Sequence, residues 1–118
     1  MSHADRPVQS VRWAGPDDRT VIVEAGGEID LRCSAAFQQA LLEPLEKNPQ
    51  RMIVDLAQVT YMDSSGVASL VKLLSRVRRG KIELKLASLT PRVRSVFEIT
   101  RLDTVFEICA TVQEALGS

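Results

Sequence analysis

The chain has 118 residues, 45% of them apolar and 25% charged, which suits one globular domain around a single core rather than a disordered or divided chain. Fifteen basic residues cancel fifteen acidic ones and only 4% are aromatic, so neither bulk attraction to nucleic acid nor an array of stacking rings is on offer. No apolar run approaches the roughly 18 residues of a membrane span, and the expectation is a cytoplasmic protein without direct membrane insertion.

Residues 1–7 are polar and are expected to form a flexible leader, with residues 8–118 as the folded domain. Val8, Val11 and Trp13 predict a first strand, and the Gly-Pro-Asp-Asp stretch after Ala14 predicts a turn. Thr20 to Ala25, with Val21, Ile22 and Val23, reads as a second strand and hairpin partner of the first. Gly26-Gly27-Glu28-Ile29-Asp30 is expected to break that strand. A helix is predicted from about Ser34, its N-cap, with Phe37, Ala40, Leu41 and Leu45 facing inward. Pro44 falls inside this pattern and should kink the helix or end it early.

Met52, Ile53, Val54 and Leu56 form a nearly continuous apolar run, as in a strand of a parallel sheet buried on both faces, with Asp55 as the strand end. Asp63 then reads as the N-cap of a helix whose inner face is Val67, Leu70, Val71, Leu74 and Val77. Arg76, Arg78 and Arg79 stand at its negative end before Gly80. Ile82, Leu84 and Leu86 alternate with Lys81, Glu83 and Lys85, the pattern of a half-buried strand. Thr90-Pro91 opens another helix with Val93, Val96 and Phe97 inside, and Val105, Phe106 and Ile108 predict a short last strand. Thr111-Val-Gln-Glu114 matches a capping box before a brief final helix. The order β-β-α-β-α-β-α-β-α implies an α/β fold: a mostly parallel mixed sheet with an N-terminal antiparallel hairpin strand and packed helices. Loops at the carboxyl ends of its strands, Gly27–Asp30 and Asp63–Gly66, are then expected to be neighbours.

Ser64 and Ser65 sit on the first turn of a helix just past a strand, where free N–H groups and the positive dipole end favour a phosphate. They also have the plainer reading of serines at a helix start. A hydrolase elbow around Ser64 fails, because Met62 occupies a position that needs glycine and the only histidine, His3, lies in the leader. Neither a dinucleotide-binding glycine motif nor a Walker lysine is present. Cys33 and Cys109 match no metal or redox spacing and read as two small buried or half-buried thiols. Arg76, Arg78, Arg79 and Lys81, with Arg92 and Arg94 later, could contact phosphates, but a solvated helix terminus explains the first three, and zero net charge favours that plainer reading.

Val54-Asp55-Leu56 followed by Tyr61-Met62-Asp63-Ser64-Ser65-Gly66-Val67 closely resembles the signature of STAS-domain anti-sigma factor antagonists. Gly27-Glu28-Ile29-Asp30 matches a second recurring motif of that family, and the similarity runs from about Thr20 to Leu116. The resemblance implies a single STAS domain without enzymatic activity, cofactor or metal, which captures a serine kinase that is also an anti-sigma factor and thereby frees sigma. It implies ATP-dependent phosphorylation at Ser64, reversal by a metal-dependent serine phosphatase, and a partner-binding surface of Gly27, Glu28, Asp30, Asp63, Ser64, Ser65, Gly66 and Val67. A monomer or weak dimer that binds no nucleic acid is expected. Pro44 and Ala68 depart from the family pattern. Other members of the family act as scaffolds of stress-signalling assemblies or as accessory subunits of ABC-type lipid transporters, and these are the alternative readings.

Overall fold

The computed structural model describes residues 6–117; the expected leader, with His3, lies outside the described residues up to position 5. Pro7 is buried, and its carbonyl accepts from the Gly26 N–H at 3.0 Å. The elements are β1 (Val8–Ala14), β2 (Thr20–Ile29), α1 (Ser34–Leu42), β3 (Arg51–Met62), α2 (Ser64–Arg79), β4 (Glu83–Ala87), α3 (Pro91–Ile99), β5 (Ile108–Cys109) and α4 (Val112–Gly117), with 3-10 turns at Glu43–Lys47 and Leu102–Thr104. The sheet order is β1-β2-β3-β4-β5; β1 and β2 are antiparallel and the other pairs parallel.

Three crossovers advance across the sheet in one direction, and right-handed crossovers of that kind deliver their helices to one face. The main core has this composition. Val21, Val23, Met52, Val54, Leu84 and Leu86 from the strands meet Phe37 and Leu41 of α1, Leu70, Leu73 and Val77 of α2, and Val93 and Phe97 of α3. The alternate strand residues Ile22, Ile53, Ala87 and Cys109 point the other way and pack with Ala115 of α4.

The expected break at Gly26–Asp30 does not occur: β2 continues to Ile29. The expected end of β3 at Asp55 does not occur either, since β3 runs on to Met62. The two strands stay paired through two register shifts, one between Glu24 and Gly26 and one between Gly27 and Glu28, where β3 contributes the extra residue. Gly27 takes φ +78°, open to glycine at little cost, and the Asp55 carboxylate accepts from the Ala57 N–H at 3.0 Å inside the first bulge. Because β4 pairs only with Arg51–Asp55, the rest of β3 forms a two-stranded ribbon with β2 reaching past the sheet.

Smaller differences follow the same physics. Cys33, not Ser34, holds the cap position of α1, and the Ser34 hydroxyl donates to the Leu31 carbonyl instead. As Pro44 requires, α1 stops at Leu42 and a 3-10 turn follows. The left-handed residue after α2 is Lys81 rather than Gly80. The buried face of α2 contains Leu73, whereas Val71 is 42% exposed and Leu74 only partly buried. Lys85, expected on the solvent face of β4, is 1% exposed. The last strand is confined to Ile108–Cys109, with Val105 exposed and Phe106 buried edge-on against Phe97.

Candidate functional site

The far end of the β2–β3 ribbon brings two loops together. Ile29 and Met62 are register partners, and the Asp63 N–H donates to the Ile29 carbonyl at 3.1 Å. This sets residues 30–33 beside the first turn of α2, so the two segments expected to be neighbours are neighbours. Gly27 and Glu28 lie in the strand itself, with Glu28 exposed, and Asp30 begins the loop.

Asp63 stands at the N-cap of α2 in extended backbone, as its place before the apolar run predicts. One carboxylate oxygen accepts from the Ser65 N–H at 2.9 Å, the Gly66 N–H at 3.3 Å and the Ser65 hydroxyl at 2.5 Å. The Ser65 hydroxyl does most to hold this carboxyl below the usual aspartate range, against a partial burial that raises it; the N–H groups of Gly66, Ser65 and Leu31 add to the lowering. Two of the helix-start donors expected to be open to a phosphate, the N–H groups of Ser65 and Gly66, are therefore engaged by the Asp63 carboxylate.

The two serines differ. Ser65 is half-buried and its hydroxyl is committed to Asp63, while Ser64 is exposed and its hydroxyl makes no hydrogen bond among the described residues. Behind them, Gly66 lets the helix seat on the ribbon end. A Cβ there would stand 2.7 Å from Met62 Cγ and 2.8 Å from Ile29 Cγ2. Val67 is buried, and its N–H donates to the Asp63 carbonyl at 3.1 Å.

Across from this turn, Asp30 accepts from the backbone N–H of Arg32 at 3.0 Å and from its guanidinium at 2.9 Å. The guanidinium is the main reason that the Asp30 carboxyl lies below its ordinary value; partial burial opposes it, and the charge of Asp63 raises it slightly. Arg32 also reaches Glu28 at 3.8 Å. Cys33 closes the turn, its N–H donating to the Asp30 carbonyl at 3.1 Å and its thiol to the Glu28 carbonyl at 3.3 Å. The buried Ser69 hydroxyl donates to the Ser34 carbonyl at 3.2 Å and the Ser65 carbonyl at 3.1 Å, tying the first turns of α1 and α2 together. The site is thus a platform tied together by hydrogen bonds.

Sequence reasoning missed Arg32, Ser69 and two apolar residues on the platform's rim, Leu31 at 78% and Tyr61 at 39% exposure. The Asp-x-Arg spacing at Asp30 and Arg32 was a usable signal for a turn braced by its own ion pair. Leu31 gave none, since an apolar residue in a loop says nothing about its exposure.

Among the described residues, no group of three or more His, Cys, Asp or Glu is placed to hold a metal ion, and no helix is long and apolar enough to cross a membrane. Both cysteines are free: Cys33 is half-buried, and burial pushes the Cys109 thiol up.

Residues 16–115 match the family model described as STAS domain. The chain is 33% identical over 92 residues to the anti-sigma-B factor antagonist of Listeria monocytogenes serovar 1/2a, an alignment covering 78% of this chain and 81% of that one. Among solved structures, the protein TM1081 of Thermotoga maritima matches with a TM-score of 0.84 at 21% identity, covering 98% of this chain and 97% of that one. The Bacillus cell fate determinant SpoIIAA in its phosphorylated form matches with a TM-score of 0.67 at 20% identity, covering 92% and 97%. At these identities the two structures speak for the fold alone.

Proposed function

Because this chain belongs to the STAS domain family, we propose that it is an anti-sigma factor antagonist, a binding protein rather than a catalyst, whose docking is switched by phosphorylation of Ser64. The partner is a serine kinase that doubles as the anti-sigma factor; when the antagonist captures it, sigma is released. The contrast between the two serines carries the reading. Ser64 presents an exposed hydroxyl without a hydrogen-bond partner among the described residues, whereas Ser65 would have to abandon Asp63 to act as acceptor.

In the switch, Ser64 Oγ attacks the γ-phosphorus of ATP held by the kinase, the bond to the β-phosphate oxygen breaks, and the hydroxyl proton leaves with ADP as the other product. A metal-dependent serine phosphatase restores the hydroxyl by hydrolysis. The docking surface comprises Gly27, Glu28, Asp30, Asp63, Ser64 and Ser65, with buried Gly66 and Val67 setting its shape and Leu31 and Tyr61 supplying apolar contact. A phosphate adds about −1.5 to −2 charges at neutral pH beside Asp63 and Asp30. With the N–H groups of Ser65 and Gly66 already bound to Asp63, the added charge leaves a net negative platform, and docking is lost by repulsion and desolvation while the fold persists.

Incubation with the cognate kinase and ATP tests this. The wild type is expected to gain one phosphate, Ser64→Ala none, and Ser65→Ala one that still maps to Ser64. Ser64→Ala should keep binding the kinase. Mass-spectrometric mapping of the phosphate to Ser65, or tight kinase binding by fully phosphorylated protein, defeats the proposal.

A further inference from the structure

Arg32 is the only basic residue in the two segments, 27–34 and 61–69, that build the platform. The charged groups it pairs with are Glu28 from β2 and Asp30 from the loop, and Asp63 at the start of α2 stands near enough for its charge to be felt at Asp30. Its fork lies on Asp30, with Nη2 at 2.9 Å and Nε at 3.2 Å from Oδ2, and its side chain is 82% exposed. An exposed pair of this kind is held weakly, because water screens it and the long side chain gains freedom on release. The guanidinium is therefore both charged and movable, on a loop whose backbone is fixed by the Cys33 and Asp30 hydrogen bonds.

A phosphate on Ser64 enters on the turn next to the loop that carries Arg32, since the Asp63 N–H donates to the Ile29 carbonyl at 3.1 Å, and there Asp63 retains the N–H groups of Ser65 and Gly66. A phosphate dianion outcompetes a single carboxylate for a guanidinium, presenting more charge and a bidentate oxygen edge. We propose that Arg32 is the counter-ion of the Ser64 phosphate: on phosphorylation its guanidinium leaves Asp30 and Glu28 and forks onto the phosphate oxygens. The proposal rests on Ser64 being the modified residue. Its consequence is that modification changes the platform at two places. The phosphate appears at Ser64, and the Asp30 and Glu28 carboxylates, previously covered by Arg32, become bare. A partner docked on the braced Asp30 turn then meets uncompensated acid there too.

The test places phosphoserine at position 64 during translation, with no kinase involved, in the wild type and in R32Q, and follows the second ionisation of the phosphate by phosphorus NMR. The phosphate should bind its second proton severalfold more tightly in R32Q than in the wild type, with R32K between them. In the wild type, which needs no variant, the Arg32 Nε–H resonance should move on phosphorylation while the surrounding α2 and β3 amides stay in place. Identical phosphate titrations in wild type and R32Q, or an Arg32 side-chain resonance indifferent to the phosphate, overturn the proposal. A chain that its kinase leaves unmodified at Ser64 defeats the phosphorylation reading instead, and the titration remains readable because the phosphate was installed independently.

Discussion

At the scale of single residues, Asp63 holds the site's local order, since one of its oxygens satisfies two helix-start N–H groups and the Ser65 hydroxyl. Replacing it with alanine should cost about 1 kcal/mol at neutral pH, the usual loss for a helix cap. The effect has a definite sign with pH. The folded-state pKa of Asp63 lies below the roughly 3.9 of an unfolded chain, so the unfolded state takes up the proton first as pH falls. The stabilisation is complete above the unfolded value and fades as pH drops through the folded one. Urea melts of the wild type and Asp63→Ala should therefore differ most at neutral pH and converge in acid; a gap independent of pH would show that the carboxylate charge is not what stabilises the cap. The cap was legible because an aspartate stood directly before the first helical apolar residues. The difference in environment between Ser64 and Ser65 was not, because it depends on which hydroxyl can turn back to the cap's oxygen, and only the residue two positions on does so here.

At the scale of elements, the periodicity of α2 marked a helix but left the angle at which it rolls onto the sheet undetermined. Val67, Leu70, Leu73 and Val77 face inward, together with Gly66 and Ser69, so the small and polar residues of the first turns decide the roll. Gly66 permits close approach to Ile29 and Met62, and Ser69 finds the Ser34 carbonyl. Leu70→Ala and Leu73→Ala should each cost about 2–5 kcal/mol in chemical denaturation, and Val71→Ala within about 0.5 kcal/mol. Equal losses at Leu73 and Val71 would mean that the other edge of the helix faces the core. The second half of β3 was illegible for a related reason. Its buried residues are Leu56, Val59 and Met62, three apart, because each of two bulges adds a residue and destroys the period of two. The paired glycines of β2 looked like a stop for the same reason: they serve a distorted ladder.

At the scale of the whole molecule, among the described residues three helices cover one face of the sheet and α4 is the helix that packs on the small cluster of the other. Lys85 lies beneath that helix, its ammonium 3.3 Å from Glu107 and donating to the Ala115 carbonyl at 3.4 Å, while Arg51 donates to the carbonyls of Ala115 and Leu116, both at 3.1 Å. Alternation along β4 was right about the direction of this lysine but blind to the arrival of a helix over it from 30 residues further on. The Glu83 and Glu107 side chains are about half exposed, so among the described residues losing their cation leaves no buried charge. Lys85→Met, which keeps the volume, should therefore change stability by less than about 1.5 kcal/mol, and Lys85→Ala, which opens a cavity, by about 2 kcal/mol or more. If thermal melts show both variants equally damaged, the charge and not the packing secures α4. The agreement of sheet order with chain order has a consequence for how the protein is born. A ribosome releases about 5–20 residues per second, far slower than hairpins and helices form, so each new parallel strand emerges to find its one neighbour already waiting. The domain is suited to grow from β1 outward as it is translated, with no strand having to be inserted between two others and α4 arriving last to seal the second face.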